Sequence, residues 1–105
     1  MYNVNMILRF IWDENKNKAN IKKHGVSFEE AKTIFFNFPL EVFYDPEHSE
    51  EEDRYVAFGN SDNGRFLLVV HMENKNGTQI RIISARKATK VESKQFLEHK
   101  FGGIL

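Results

Sequence analysis

The chain has no cysteine and only two prolines in 105 residues. Without cysteine there is no disulfide and no thiolate metal centre, and a reducing compartment such as the cytoplasm is the natural expectation. No apolar run approaches the ~20 residues that span a bilayer, so no membrane association is expected. The opening residues, Met1 to Phe10, lack a basic stretch leading into a long apolar core, and no secretory signal is expected there. Five of the six glycines fall at turns and at the C-terminal end, and Gly59 stands alone. None forms the glycine-rich run after a strand that cradles phosphates. Nucleophile-elbow and triad patterns are absent as well. Charge of one sign is missing too: fifteen acids balance fifteen bases, which argues against a protein that coats nucleic acid nonspecifically.

What is present is charge sorted by position. Residues 41–54 hold seven acids and one base, a net of −6, whereas residues 81–100 hold six bases and two acids, a net of +4. A polyanion is repelled by the first segment and attracted by the second. The most informative stretch is residues 81–90, Arg-Ile-Ile-Ser-Ala-Arg-Lys-Ala-Thr-Lys, which reads as a strand running into a basic helix start. Simple alternation places Ile82, Ser84 and Arg86 on one face and Arg81, Ile83 and Ala85 on the other. Guanidinium forks match phosphate oxygens in pairs, although arginines at a sheet edge are as readily solvated or ion-paired to no effect.

The remaining pattern predicts a single α+β domain. Residues 7–12 read as a strand. Asp13 is an N-cap for a polar helix over 14–24, and Gly25 follows as its stop. Ser27 and Glu30 form a capping-box signature for a second helix that presents Phe28, Ala31, Ile34 and Phe35 and ends before Pro39. Strands are predicted over 40–44, 54–60, 66–72 and 79–86, the third of these apolar enough to be central, with turns at Asp62-Asn63-Gly64 and Asn76-Gly77. Ala88 or Thr89 opens a last helix in which Val91, Phe96 and Leu97 share a face, and Gly102-Gly103 closes it. The order β-α-α-β-β-β-β-α implies an antiparallel β-sheet with helices packed on it, and a core of Phe28, Ile34, Phe35, Leu68, Val70, Ile82 and Ile83.

Four histidines, His24, His48, His71 and His99, form no metal-binding pair, and the acidic segment 45–53 lacks the spacing of a calcium loop. No metal and no cofactor is expected. Lys23 and His24 sit at the end of the first helix, where cations are favoured by the helix dipole regardless of function. Together with Arg54, Arg81, Arg86 and Lys87 they make a cationic set suited to metal-free cleavage of RNA. There the substrate's own 2′-hydroxyl attacks, and the protein has only to move protons, hold phosphate and stabilise charge. The acidic segment is expected to lie away from such a site, with His48 and Arg54 turned inward at its margin.

Trp12-Asp13, Lys16, Asn20, Lys23-His24-Gly25-Val26, Phe28-Glu29-Glu30-Ala31, Asp45, His48-Ser49, Glu52, Arg54, Gly59, Arg81 to Arg86 and Ala88 resemble the pattern of the BrnT family, over residues 10 to about 97. The resemblance implies a RelE-like ribonuclease fold and a toxin of a bacterial type II toxin–antitoxin module that blocks translation. It also implies an RNA substrate and neutralisation by a BrnA-like antitoxin with a DNA-binding module, as a homodimer or a toxin–antitoxin heterotetramer whose complex represses its own operon. The catalytic candidates are Lys23, His24, Arg54, Arg81 and Arg86. Arg86 is expected to grip the scissile phosphate with Arg81 and Arg54 assisting, and Lys23 and His24 to transfer protons or stabilise the leaving group. The chain departs from the family pattern at Met72-Glu73-Asn74, where Thr-x-Arg is usual, and at Ser93 and Phe96, where arginine and tyrosine are common. The competing reading is an inactive or weakened homologue that binds antitoxin or RNA without cutting.

Overall fold

Both N-terminal helix starts follow their capping residues. Asp13 accepts a hydrogen bond from the Lys16 amide at 3.1 Å and opens α1 (Glu14–His24), which Gly25 ends in the left-handed region at φ 70°. Ser27 accepts from the Glu30 amide at 3.0 Å and opens α2 (Phe28–Thr33), continued by a 3-10 turn over Ile34–Phe36. The reciprocal half of this capping box is not made. The Glu30 carboxylate turns instead to Arg65 and to the Ser61 hydroxyl, 2.7 Å away. The Arg65 hydrogen bond holds the Glu30 carboxyl below the usual carboxylate range against the opposing effect of burial. Arg65 also donates to the Gly25 carbonyl at 3.0 Å, tying the end of α1 to the start of a central strand.

The computed structural model describes residues 8–48 and 52–101. Its strands are β1 (Arg9–Ile11), β2 (Leu40–Tyr44), β3 (Asp53–Asn60), β4 (Phe66–Glu73) and β5 (Gln79–Lys87), in the sheet order β1-β5-β4-β3-β2. The predicted antiparallel pairing holds for four of them. β1, however, runs parallel to β5, with Phe10 opposite Ile80. The first and last strands meet only after the chain has passed through both helices and the meander, a long connection of the kind that parallel pairing requires.

α1 and α2 cover one face. Val26, Phe28, Ala31, Ile34 and Phe35 pack there against Ala57, Leu67, Val69, Ile80, Ile82 and Ala85. Phe28, Ile34, Phe35 and Ile82 are core residues as expected, whereas Leu68 and Ile83 are half-buried. The strand period decides this: Leu67 and Val69 take the helix-facing phase of β4, so Leu68 and Val70 point to the opposite face. Val70 is buried there, outside the helix-side cluster.

The expected alternation in β5 also fails, for a specific reason. Val70 pairs with Ser84 and His71 with Ile82, so Ile83 stands opposite no residue of β4. This β-bulge inserts one residue and reverses the phase of everything after it. Ile80 and Ile82 face the helices before the bulge and Ala85 does so after it. Arg81, Ser84 and Arg86 consequently share the other face, where the sequence had placed Arg81 apart.

α3 (Lys90–Phe101) closes the fold, capped reciprocally: Thr89 Oγ1 accepts from the Glu92 amide at 3.1 Å and Glu92 accepts from the Thr89 amide at 2.9 Å. It meets the sheet through Phe96, whose ring centroid lies 4.7 Å from that of Phe66. Val91 and Leu97 do not share that contact and are 65% and 54% exposed. The predicted stop at Gly102-Gly103 lies outside the described residues. Among the described residues, no helix is long and apolar enough to cross a membrane.

Candidate functional site

The sheet face opposite α1 and α2 carries three guanidinium groups. Cross-strand register aligns Arg54 of β3, Met72 of β4 and Arg81 of β5 in one row, and Phe58, Leu68 and Arg86 in another. Between the two rows lies Val56–Val70–Ser84. The arginine-bearing rows are four residues apart along β4, about 13 Å, over an apolar floor of Val56, Leu68, Val70 and Met72.

Each guanidinium has a carboxylate partner. Arg86 is held by both oxygens of Glu92, at 2.8 and 2.9 Å, and donates to the Lys87 carbonyl at 3.2 Å. The Arg86 hydrogen bonds outweigh burial and keep the Glu92 carboxyl down at about 2, while Glu92 raises the arginine in return. Glu92 thus joins two duties, capping α3 and fixing the Arg86 fork. Arg86 still keeps its Nε–H and one Nη2–H without a hydrogen bond among the described residues. Arg81 pairs with Glu52, and Arg54 with Asp45 at 3.7 Å.

The last two pairs overturn the expectation that the acidic segment lies away from these cations. Tyr44 opposite Tyr55 is the final β2–β3 pair, so the intervening loop leaves and re-enters the sheet beside Arg54. The Asp45 amide donates to the Arg54 carbonyl at 2.8 Å. A hairpin loop rooted at that point delivers its carboxylates to the Arg54–Arg81 row. Residues 49–51 and the His48 side chain, expected to turn inward, lie outside what the structure describes.

Lys23 and His24 are not brought among the arginines. They occupy the last turn of α1, Lys23 exposed and His24 half-buried, and among the described residues no hydrogen bond or ion pair joins either to Arg54, Arg81 or Arg86. The buried Asn20 side chain determines their location. It donates to the carbonyls of Val26 and Ala85, both at 2.8 Å, and accepts from the Ala85 amide at 3.1 Å. β1 pairs with β5 only as far as Arg81, so Asn20 satisfies backbone groups at the edge β1 does not reach. The end of α1 is thereby fixed at the rim of β5, one residue from Arg86. Lys87 is exposed, in the phase opposite to Arg86.

His71 belongs to neither group. It is fully buried on the helix side, 5.0 Å from Phe35 edge-on and stacked on Tyr55 at 5.6 Å, with Nε2 2.8 Å from Glu73. Burial, with the Glu73 charge nearby, raises the Tyr55 hydroxyl above its ordinary value. Of the departures from the family pattern, Asn74 organises the β4–β5 turn by accepting from the Thr78 and Gln79 amides at 2.9 and 3.0 Å. Phe96 docks α3.

Sequence reasoning missed Glu92 as the partner of Arg86, although Thr89-x-x-Glu92 is itself a capping-box signature. It also missed a cavity of about 260 Å³ beside Arg86, lined by Glu41, Phe43, Phe58, Glu92, Gln95 and Phe96.

The architecture is an α+β fold whose mostly antiparallel sheet is covered by two helices on one face and presents three arginines on the other. Residues 12–92 match the family model for the ribonuclease toxin BrnT of type II toxin–antitoxin systems, and the chain belongs to that family. The fold is similar to the crystal structure of the Brucella abortus ribonuclease toxin BrnT, with a TM-score of 0.60 and 25% identity over 79% of this chain and 99% of that one. No protein among curated sequences matches it. Family membership makes the chain a toxin of a type II module and implies a cognate antitoxin.

Proposed function

We propose that the chain is a metal-independent endoribonuclease that binds RNA on the arginine-bearing face of its sheet and inhibits translation in the cytoplasm. The observation that carries this reading is the bulge at Ile83, which puts Arg81 and Arg86 on the same face as Arg54. Arg86 donates to the scissile phosphate through the N–H groups that Glu92 leaves over, and Arg81 and Arg54 supply further positive charge once the substrate displaces Glu52 and Asp45. The 2′-hydroxyl attacks phosphorus and loses its proton. The P–O5′ bond breaks and the leaving oxygen gains a proton, giving a 2′,3′-cyclic phosphate and a 5′-hydroxyl. Lys23 and His24, at the rim of β5, are the proton-transfer candidates, since histidine is the side chain whose proton ordinarily moves between pH 5 and 8. The partner is a BrnA-like antitoxin with a DNA-binding module, in a complex that contains at least two toxin copies.

One observation favours a second reading, that of a homologue which binds without cutting. All three arginines already have carboxylate partners, so an anion must displace those of Arg54 and Arg81 and approach Arg86 against the charge of Glu92. Expression without antitoxin decides between them. Growth arrest with RNA cleavage is expected, and harmless accumulation of folded protein selects the binding module.

A further inference from the structure

We propose that Arg9, on the edge strand β1, holds an RNA phosphate that flanks the scissile one, so that the substrate runs along β5 from Arg86 past Arg81 to Arg9. This rests on the proposed RNA-binding role of the arginine face and specifies the path of the strand across it.

The first argument is position. Phe10 turns to the helix side, its ring 5.5 Å from Phe35 and 5.7 Å from Phe36, and Leu8 and Trp12 pack against the same core. Strand alternation therefore sends Arg9 and Ile11 the other way. Register pairs Ile11 with Arg81 and Arg9 with Gln79, and directly paired residues of a sheet project from the same face. Arg9 thus stands at the margin of the face that carries Arg54, Arg81 and Arg86, one strand over from β5 and level with the residue two before Arg81. That offset is about 8 Å between Cα positions, and Arg9 lies about 20 Å from Arg86. Such a span exceeds one nucleotide, so the phosphate at Arg9 is not the one that is cut.

The second is charge. The guanidinium groups of Arg54, Arg81 and Arg86 each face a carboxylate. Arg9 is exposed and makes no ion pair or side-chain hydrogen bond among the described residues, and residues 1–7 contain no acid. An incoming phosphate has nothing to displace at Arg9, whereas it meets Asp45, Glu52 and Glu92 at the others. The guanidinium stays charged at any physiological pH, and its fork matches phosphate oxygens. Arg9 therefore holds the strand while the acids farther along the face give way.

The arginines continue one another along β5, which favours a chain with charge repeated along its backbone over an acidic protein segment. Arg9 also precedes residues 12–92, the stretch that matches the family model, so the contact is a feature of this chain and not of the matched pattern.

The test uses the full chain and an oligoribonucleotide with a 2′-deoxy sugar at the scissile position, which binds without being cut. Arg9→Ala is expected to weaken binding about fivefold, the upper end for an exposed ion pair, and Arg9→Lys to recover part of the loss. The slope of log Kd against log salt should become shallower by about 0.7, the value of one single-strand phosphate. On a cleavable strand KM should rise by the same factor with kcat unchanged. Methylphosphonates placed one linkage at a time outward from the scissile bond locate the contact. At one linkage, neutralisation should weaken binding to the parent but not to Arg9→Ala. Equal binding by parent and Arg9→Ala, a lower kcat at unchanged KM, or the absence of such a linkage overturns the assignment. An Arg9→Ala protein that loses affinity for the antitoxin but not for RNA overturns it as well and gives Arg9 to the antitoxin interface. Arg9-dependent binding of a strand that is never cut, even with its 2′-hydroxyl in place, retains the phosphate contact and refutes the nuclease.

Discussion

Asn20 and Ala85 exchange two hydrogen bonds, Asn20 Nδ2 to the Ala85 carbonyl at 2.8 Å and the Ala85 amide to Asn20 Oδ1 at 3.1 Å. One side chain therefore does at this point what a neighbouring strand does elsewhere in a sheet. The clamp lies immediately after the bulge and immediately before Arg86. It consequently fixes both the direction of Arg86 and the distance of the α1 terminus from the arginine face.

Asn20→Ala is expected to destabilise the protein by about 2–4 kcal/mol, because it strands buried backbone groups of Ala85 and Val26. Denaturant unfolding measures this. Asn20→Asp is a second probe, since its carboxylate can accept from the Ala85 amide but cannot donate to either carbonyl. It should recover only part of the loss, whereas full recovery would show that the two donated bonds contribute nothing.

Acid should loosen α3 before it unfolds the sheet. Glu92 has its carboxyl depressed to about 2 in the folded protein by Arg86, below the value an unfolded carboxylate has. Its contribution is therefore complete above the unfolded value near 4.5 and disappears as pH falls toward 2. The Phe66–Phe96 ring contact, followed by NMR between pH 5 and 2, should weaken over that window. In Glu92→Gln the acid-dependent part attributable to this pair should vanish.

Glu52→Gln removes the carboxylate that holds Arg81, a pair with half-exposed partners. Stability should change by no more than about 0.5 kcal/mol, as for exposed ion pairs generally. Under the proposed function, KM for RNA should fall several-fold because the phosphate no longer competes with Glu52. A KM that stays constant or rises would place Arg81 outside the substrate site.

Much of the fold was legible because its signals are local. Asp13 and Gly25 bound α1, Ser27 opens α2, and Asn76-Gly77 turns β4 into β5. What was not legible depended on distant partners. Nothing near Arg81 in sequence reveals the bulge, which exists because Val70 and His71 of another strand pair around Ile83. The parallel pairing of β1 with β5 is a contact between chain segments some seventy residues apart. Glu30 resembled half of a capping box until Arg65, thirty-five positions on, claimed its carboxylate. The cationic candidates were visible as residue types, but their division into three arginines on one face and Lys23 with His24 at the rim of another element was not. The Phe43–Phe58–Phe96 cavity assembles from three elements and leaves no mark on any one of them.

The most direct test of the proposed nuclease uses one oligoribonucleotide, EDTA and the single variant Arg86→Ala. In EDTA the parent protein should cut the RNA to a 2′,3′-cyclic phosphate and a 5′-hydroxyl, and should leave uncut the same strand carrying a 2′-deoxy sugar at the scissile position. Arg86→Ala should lower kcat by about 10²–10³, as expected for loss of one electrostatic donor, while far-ultraviolet circular dichroism and antitoxin binding are retained. Cleavage that EDTA abolishes, or an Arg86→Ala protein that cuts as fast as the parent, would contradict the assignment of Arg86 and of the face it stands on.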